Sequence, residues 1–179
     1  MGKKVLVLSA SPRKGGNSDL LCDQFMVGAK ESGNQVEKIY LVGKKINYCI
    51  ACEVCIKNSG NCVHKDDMTE VLEKIITADV IVMATPVYYN AMNGQLKTLI
   101  DRTFARHKEI RNKEFYFIVT AADSRKEELE STFEGLRGFT RCLVGSKEKG
   151  SIYGTGAWGK GELDGSQSMK QAYKMGTSV

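Results

Sequence analysis

This sequence contains few histidines, no long apolar runs and no blocks of like charge. With only two histidines among 179 residues, a hydrolase built on a Ser–His–Asp triad has little to work with. No apolar run approaches the ~20 residues that a transmembrane helix needs. The chain starts with Met-Gly-Lys-Lys and a predicted strand, which is not the plan of a signal peptide. We therefore expect a cytoplasmic protein without a membrane partner.

Charged residues of both signs are interspersed along the chain. The 26 lysines and arginines outnumber the 21 acidic residues, which gives a net charge of +5. No nucleic-acid motif accompanies this mild excess, so we expect a small anionic ligand rather than a nucleic acid. Repeats, low-complexity tracts and linkers are also missing from the sequence, so residues 1–179 are predicted to form one domain.

Strand patterns alternate with helical patterns along the chain. Strands are predicted at about 3–9, 35–41, 79–84, 114–120 and 147–154, and helices at about 18–32, 67–76, 94–104, 126–144 and 166–175. Ser18 is the predicted N-cap of the first helix, and Asp67 with Glu70 forms a predicted capping box. The alternation predicts a doubly wound α/β fold, with a five-stranded parallel sheet and helices on both faces. Ligands of such sheets bind at the carboxyl ends of the strands.

The segment after the first predicted strand, Ser9–Ser18, is rich in hydrogen-bond donors. Serine and asparagine side chains, the charge of Arg13 and the start of a helix come together there. Because the first N–H groups of a helix attract negative charge, this pattern predicts a phosphate-binding loop. The alternative is an ordinary strand-to-helix connection, but such connections are usually shorter.

A second informative loop, Thr85–Gly94, follows the third predicted strand. Pro86 is predicted to end that strand, and Tyr88 and Tyr89 are large aromatic residues in a loop. An aromatic surface beside a phosphate site favours a planar ring ligand, although one tyrosine could simply cap the edge of the sheet. We expect this loop, the phosphate loop and a cysteine-rich insert at about 47–66 to meet at one edge, with Thr120–Asp123 close by.

Four cysteines lie within fourteen residues in the pattern Cys49-x2-Cys52-x2-Cys55-x6-Cys62. Four thiolates at such spacings can surround a metal centre, either a [4Fe–4S] cluster or tetrahedral zinc. The C-x2-C-x2-C run favours iron–sulfur, and metal-free redox thiols remain a further alternative. Disulfides rarely persist in a reducing cytosol.

The remaining cysteines and the two histidines are not expected to take part in the chemistry. Cys22 and Cys142 lie on predicted helices and are expected to be small core residues. His64 follows Cys62 and could be a ligand, but four thiols already complete a tetrahedral site. His107 lies in a polar turn and is expected to be solvated.

Several ordered motifs together resemble one known family. They are Ser-Ala-Ser-Pro-Arg-x-x-Gly-Asn-Ser at 9–18, Thr-Pro-Val-Tyr-Tyr at 85–89 and Gly94-Gln-Leu-Lys-x-x-Ile-Asp-Arg102. They resemble the NADPH-dependent FMN reductase family, and the cysteine motif followed by Asp66-Asp67-Met68 resembles its iron–sulfur flavoprotein branch. The resemblance implies a flavodoxin-like fold, bound FMN and a homodimer or homotetramer.

The resemblance also implies which residues contact FMN. The motif at 9–18 would hold the phosphate, and the motif at 85–89 with the next residue would contact the isoalloxazine ring. The residues concerned are Ser9, Ser11, Pro12, Arg13, Asn17 and Ser18 for the first motif, and Pro86, Val87, Tyr88, Tyr89 and Asn90 for the second.

The function expected from these features is FMN-dependent NAD(P)H oxidoreduction. NAD(P)H would reduce FMN without a catalytic side chain, and electrons would pass to a quinone, a flavin or an azo compound. An iron–sulfur cluster would add a single-electron route to ferredoxin. The alternatives are a non-catalytic flavodoxin-like electron carrier, and an FMN reductase whose cysteine tetrad binds zinc or no metal.

A glycine-rich stretch near the end of the chain, Gly154-Thr-Gly-Ala-Trp-Gly159, matches the dinucleotide fingerprint G-x-G-x-x-G. It comes too late in the chain for the strand–helix–strand unit that the fingerprint requires. We expect instead a flexible loop beside the fifth strand, with Trp158 as a lid over the flavin.

Overall fold

The computed structural model describes residues 2–179. The strands are β1 (Lys4–Ser9), β2 (Gln35–Tyr40), β3 (Val80–Tyr88), β4 (Ala91–Met92), β5 (Glu114–Thr120) and β6 (Lys147–Gly154). The helices are α1 (Asn17–Glu31), α2 (Val54–Lys57), α3 (Met68–Thr77), α4 (Gly94–Arg102), α5 (Glu130–Arg141) and α6 (Gln167–Thr177). Short 3-10 segments cover Leu41–Gly43, Thr103–Glu109 and Lys126–Leu129.

The five long strands form one parallel sheet in the order β2-β1-β3-β5-β6. Counted among parallel strands alone, this is the flavodoxin-like order 2-1-3-4-5, so the predicted fold is confirmed. The chain runs from β1 to β2 on one side of β1 and then crosses to β3 on the other side. The strand order therefore reverses at β1, which creates a crevice at the carboxyl ends of β1 and β3. The two-residue strand β4 is an addition that pairs antiparallel with the end of β3.

Helices cover both faces of the sheet, as predicted, and alternate strand residues reach opposite cores. Phe115 and Phe117 of β5 pack with α3, α4 and α5 on one face. Their neighbours Tyr116 and Ile118 pack with α1 and α6 on the other face. Because successive side chains of a strand point to opposite sides, one apolar strand supplies both cores.

Helices α1 and α6 cross at two glycines. A Cβ atom on Gly28 would lie 2.3 Å from the carbonyl oxygen of Tyr173, and one on Gly176 would lie 2.1 Å from that of Phe25. Real Cβ atoms are not found at such distances, so only glycine permits this crossing. The close approach fixes α6, which follows the glycine-rich loop, against α1. The segment before α1, Ser9–Ser18, is the one predicted to bind phosphate, and it keeps the name phosphate loop below.

The prediction that Pro86 ends the third strand is wrong, because β3 continues to Tyr88. Val87 and Tyr88 pair with Met92 and Ala91 of β4 in a β-hairpin. The two turn residues, Tyr89 and Asn90, have φ values of +50° and +55°. A two-residue turn with positive φ at both positions matches the twist of the flanking strands, which explains why the strand extends past the proline.

The predicted N-cap of α1 and the predicted capping box of α3 both differ from the structure. Helix α1 begins at Asn17 with Gly16 as its N-cap, so Ser18 lies inside the first turn and is buried. Asp67 does take the N-cap position of α3, but its side chain accepts from the backbone N–H of Lys45 at 2.7 Å. The carboxylate of Asp66 instead accepts from the N–H of Met68 at 3.2 Å, so the predicted capping box is not formed.

Candidate functional site

A cleft of about 200 Å³ opens where β1, β3, β5 and β6 end, and is called the carboxyl-edge cleft below. It is formed by the loops that follow these four strands, as the topology of the sheet requires. Its lining residues are Ser11, Arg13, Gly16, Asn17, Ser18, Pro86, Val87, Tyr88, Thr120, Ala121, Ala122, Ala157, Trp158 and Lys160.

Seven residues that the sequence motifs assign to FMN line this cleft together: Ser11, Arg13, Asn17, Ser18, Pro86, Val87 and Tyr88. Four others do not line it. Ser9 is fully buried and its hydroxyl donates to the Asp19 carboxylate at 3.0 Å. Tyr89 and Asn90 occupy the exposed tip of the β3–β4 hairpin, and Pro12 is half-buried beside the cleft.

The phosphate loop is closed by short-range hydrogen bonds. The Ser11 hydroxyl accepts from the N–H of Arg13 at 3.1 Å, and the N–H of Gly16 donates to the Arg13 carbonyl at 2.9 Å. A Cβ on Gly16 would lie 2.8 Å from that carbonyl oxygen, so the turn requires glycine. Among the described residues no side chain caps α1, which leaves the first N–H groups of the helix available to an anion.

The glycine-rich loop lies against the phosphate loop. The Asn17 side chain donates to the carbonyl of Gly159 at 2.8 Å and accepts from the N–H of Leu163 at 3.2 Å. The Arg13 guanidinium donates to the carbonyl of Trp158 at 3.3 Å. The indole of Trp158 is 81% exposed at the mouth of the cleft. The predicted position beside the fifth parallel strand is therefore confirmed, whereas the lid role stays a prediction.

Thr120, Ala121 and Ala122 line the cleft, which confirms that the segment Thr120–Asp123 lies close by, whereas sequence reasoning missed Lys160. Lys160 brings a second positive charge close to Arg13, and its Nζ atom would lie 3.5 Å from a Cβ on Gly15. Only position in the chain could have indicated residues from these loops, because the loops after β5 and β6 also leave the carboxyl edge of the sheet.

A second cavity lies elsewhere and measures about 760 Å³. It lies between the cysteine-rich segment, the end of α4 with the following 3-10 segment, and the end of α5; it is called the cysteine cavity below. All four predicted ligands line it: Cys49, Cys52, Cys55 and Cys62. The other lining residues are Ile50, Ala51, Glu53, Val63, His64, Ile100, Asp101, Thr103, Phe104, His107, Phe139, Cys142 and Leu143.

The cysteine-rich insert does not line the carboxyl-edge cleft, so the expectation that it meets the phosphate loop there is wrong. The structure packs the insert on the face of the sheet that carries α4 and α5, because Asn47 and Asp66 at its two ends are bound to α4. The molecule therefore has two distinct candidate sites instead of one.

The structure confirms the role predicted for Cys22 but differs from the predictions for Cys142 and His107. Cys22 is a fully buried core residue as predicted, and burial raises the pKa of its thiol. Cys142, in contrast, is exposed at the end of α5 and lines the cysteine cavity. His107 is half-buried and stacks on Phe104 with ring centroids 5.4 Å apart, so it is not freely solvated. The residues around His107 in the sequence are polar, so the sequence did not indicate this aromatic packing.

The cysteine segment has an irregular backbone. Ala51, Glu53 and Ser59 have φ values of +52°, +58° and +49°, which are uncommon for residues with a side chain. Cys55 and Cys62 are half-buried, and Cys49 and Cys52 are exposed. Within residues 2–179, no three His, Cys, Asp or Glu side chains converge as they would on a single metal ion.

A buried ion pair closes the base of this segment. Arg102 of α4 donates from Nη1 to Asp66 at 2.7 Å and to the carbonyl of Asn47 at 2.6 Å. The Arg102 and Asp66 side chains are only 2% and 3% exposed. Burial raises the pKa of Asp66, but hydrogen bonds from Arg102 and from backbone N–H groups outweigh it and hold the pKa well below its usual range.

Two buried polar atoms near the cysteines have no hydrogen-bond partner in the described part of the chain. They are Nε2 of His64 and Nε of Arg102. Burial lowers the pKa of Arg102, but the hydrogen bonds and the charge of Asp66 outweigh it and raise the pKa above its usual range. Buried unpartnered groups are rare in native proteins, so these two atoms leave unused hydrogen-bonding capacity beside the cysteine segment.

The described residues contain no helix that is both long enough and apolar enough to span a bilayer.

Sequence comparison finds one matching family and several curated relatives. Residues 3–151 match the family model described as NADPH-dependent FMN reductase. An iron–sulfur flavoprotein of Methanocaldococcus jannaschii is 44% identical over 99 residues, covering 55% of this chain and 50% of that protein. The chain thus matches about half the length of this relative. A second iron–sulfur flavoprotein of the same organism is 34% identical over 167 residues, covering 90% of this chain and 86% of that protein.

Solved structures share the fold at low sequence identity. An NAD(P)H:quinone oxidoreductase from Methanothermobacter marburgensis superposes with a TM-score of 0.79 at 18% identity, covering 99% of this chain and 96% of that one. An FMN-dependent NADH-azoreductase from Bacillus anthracis, solved in complex with FMN, gives a TM-score of 0.73 at 16% identity, covering 98% and 96%. These likenesses bear on the fold alone.

Proposed function

Because the chain belongs to the NADPH-dependent FMN reductase family, we propose that it is an NAD(P)H oxidoreductase that binds FMN in the carboxyl-edge cleft. One observation carries the proposal: seven motif residues from two distant parts of the chain line the same cleft. The topology of the sheet puts ligands at this edge independently of any motif.

The residues of the cleft suit the two ends of FMN. Arg13, Lys160 and the uncapped start of α1 offer positive charge and N–H groups to a phosphate. Tyr88 and Trp158 offer aromatic surface to a planar ring. The cleft of about 200 Å³ is smaller than the ~300–1,000 Å³ of most ligand pockets, so part of the flavin would remain outside. Tyr88 and Trp158 are exposed at that open end.

Bound FMN would supply the redox chemistry, accepting hydride from NAD(P)H and passing electrons to a quinone, flavin or azo compound. The chain binds and orients the reactants. Neither a carboxylate nor an imidazole belongs to the lining of the cleft as described over residues 2–179. We therefore assign no general base, in keeping with a hydride transfer that needs none.

We propose further that Cys49, Cys52, Cys55 and Cys62 hold a [4Fe–4S] cluster, which would let ferredoxin serve as a partner. The volume of the cysteine cavity, about 760 Å³, leaves room for a group larger than one ion. Tetrahedral zinc with bonds of 2.3 Å would bring its sulfurs within ~3.8 Å of one another. No three candidate ligands of the described chain converge in that way, and the C-x2-C-x2-C spacing of the sequence is what favours the cluster over zinc. Names of relatives such as the M. jannaschii protein support the same choice.

Apolar side chains exposed around the cysteine segment support the proposal of a homodimer or homotetramer. Tyr48, Ile50, Ile56, Phe104 and Val144 are each at least half exposed. Exposed apolar side chains gathered around one segment are typical of an interface. Sedimentation equilibrium should give two or four chains per particle, and a monomer would contradict this part of the proposal.

Steady-state oxidation of NADPH and NADH tests the main proposal. The FMN-loaded protein should oxidise at least one of the two when a quinone is present, and the flavin-free protein should not. Bound FMN that neither nucleotide reduces would instead indicate a non-catalytic electron carrier. A rate that is the same with and without FMN would contradict the proposal.

Iron and acid-labile sulfide analysis tests the cluster. Protein purified without oxygen should contain about four of each per chain, as one [4Fe–4S] unit requires. Cys62→Ser should lose most of the iron, whereas Cys22→Ala, in the α1 core, should keep it. Stoichiometric zinc in place of iron, or no metal in either preparation, would contradict the cluster.

A further inference from the structure

A buried carboxylate lies under the phosphate loop. Asp19, in the first turn of α1, is 2% exposed and does not line the carboxyl-edge cleft. Its Oδ1 accepts from the Ser9 hydroxyl at 3.0 Å and from Lys38 Nζ at 2.7 Å, and its Oδ2 accepts from the backbone N–H of Gly15 at 2.8 Å. One side chain thus joins β1, β2 and the phosphate loop.

The bond to Gly15 is the one that bears on ligand binding. Gly15 has φ +67°, a left-handed conformation, and it immediately precedes Gly16, the N-cap of α1. Its N–H points to Asp19, so the backbone of the turn is tied down from below. The bonds among Ser11, Arg13 and Gly16 are local. Other bonds of the loop join it to the glycine-rich loop and to β3, so the bond to Asp19 is the one that ties the Gly15 turn to the side chain of a helix residue.

A carboxylate beside an anion site would normally repel the anion, and Lys38 offsets that charge. Its side chain is 7% exposed and binds both Asp19 and the exposed Asp23, at 2.7 and 2.5 Å. Burial lowers the pKa of Lys38, but hydrogen bonds to both aspartates outweigh it and raise the pKa above its usual range. The ammonium therefore stays charged, so Asp19 can accept hydrogen bonds without carrying an unpaired buried charge.

We propose that Asp19 is a positioning residue that shapes the loop for a phosphate group through the N–H of Gly15. The inference rests on the proposed function, because the ligand is the phosphate of FMN. Asp19 would thereby set the preference of the protein for FMN over riboflavin, which lacks the phosphate. Loss of the carboxylate should weaken phosphate recognition and leave recognition of the isoalloxazine ring intact.

Flavin affinities of three proteins test this proposal: the wild type, Asp19→Asn and the control Asp23→Asn. Dissociation constants for FMN and for riboflavin are measured by quenching of flavin fluorescence. Asp19→Asn should weaken FMN binding by about tenfold or more, the effect of losing one charge-assisted hydrogen bond, and change riboflavin binding less than about twofold. Asp23→Asn removes a partner of the same lysine without touching the loop, and should change neither.

A second variant covers the case in which Asp19→Asn does not fold. Lys38→Gln keeps a donor near Asp19 but removes the compensating charge, so it should also weaken FMN binding more than riboflavin binding. Equal weakening of both flavins, or unchanged FMN affinity, would overturn the proposal while the wild type still binds FMN. If the wild type binds neither flavin, the proposed function fails first and this inference falls with it.

Discussion

Arg102 and Asp66 form a two-pronged ion pair, with Nη1 and Nη2 donating to the two carboxylate oxygens at 2.7 and 3.0 Å. Arg102 also donates to the carbonyl of Asn47, so one guanidinium holds both ends of the cysteine segment. Such pairs add little net stability over a well-packed apolar alternative, but removing one partner leaves an uncompensated buried charge. The conformation of the cysteine segment therefore depends on Arg102, a residue of α4.

Asp66→Asn is expected to destabilise the fold by about 3 kcal/mol, because it leaves the Arg102 charge unpaired in a buried site. Asp101→Asn is the matched control. Asp101 is adjacent to Arg102 but pairs with Lys97 on the exposed side of α4, so its loss should cost less than about 0.5 kcal/mol. Chemical denaturation of both variants measures the difference, and similar losses would contradict the role given to the buried pair.

The same pair predicts how stability depends on pH. The folded-state pKa of Asp66 is lowered, whereas in the unfolded chain it should be about 3.9. Its stabilising effect is therefore fully present well above that value and is lost as the pH falls toward the folded-state pKa. The difference in unfolding free energy between wild type and Asp66→Asn should be fully present at about pH 6 and should narrow as the pH falls from about 4 to about 3. A constant difference would show that the carboxylate charge is not involved.

Gly16→Ala is expected to weaken FMN binding by about tenfold, because the new Cβ would lie 2.8 Å from the Arg13 carbonyl and force the phosphate loop to shift. Gly94→Ala is the control, since Gly94 begins α4 with open space around the position of a Cβ. That variant should bind FMN as the wild type does. Calorimetric titration gives both constants, and equal affinities for the two variants would count against a phosphate at this turn.

Tyr88 and Tyr89 are adjacent in sequence but differ in position. Tyr88 lines the carboxyl-edge cleft, whereas Tyr89 is fully exposed at the hairpin tip. Tyr88→Ala should raise the dissociation constant for FMN by about fivefold to tenfold through lost aromatic contact. Tyr89→Ala should change it less than about twofold. The reverse order would indicate that the flavin lies along the hairpin tip, outside the cleft.

Cys142 tests whether the proposed metal set is limited to the four clustered cysteines. It lines the same cavity, although it is 80 positions after Cys62. Cys142→Ser should keep its iron, whereas Cys55→Ser should lose it. Iron loss in Cys142→Ser comparable to that in Cys55→Ser would assign Cys142 to the ligand set.

The periodicity of the sequence was sufficient to predict the sheet, its two covered faces and the edge at which ligands would bind. Apolar strand runs and helical stripes depend on burial, which local patterns report well. The motif residues Ser11, Arg13, Asn17 and Tyr88 do meet at one cleft, as strand-end positions require. The residues of the predicted phosphate loop are adjacent in sequence, so the loop could be predicted before the fold was known.

Long-range contacts could not be predicted. Ser9 bears a donor like those of its neighbours, but its hydroxyl is used by Asp19 and not by the cleft. The cysteine insert follows β2, and only the bond from Arg102 to its two ends shows that it packs against α4 and α5. Cys142 lies on an apolar-patterned helix, yet it is exposed at the end of that helix.

The most direct measurement of the central claim is the visible absorption spectrum of protein purified without oxygen, recorded before and after adding FMN and removing the excess. The account predicts flavin bands that correspond to about one FMN per chain, bleached by the reduced nicotinamide nucleotide. Gly16→Ala, handled identically, should retain less flavin. A wild-type protein that shows no flavin bands, even after incubation with FMN, would contradict the account.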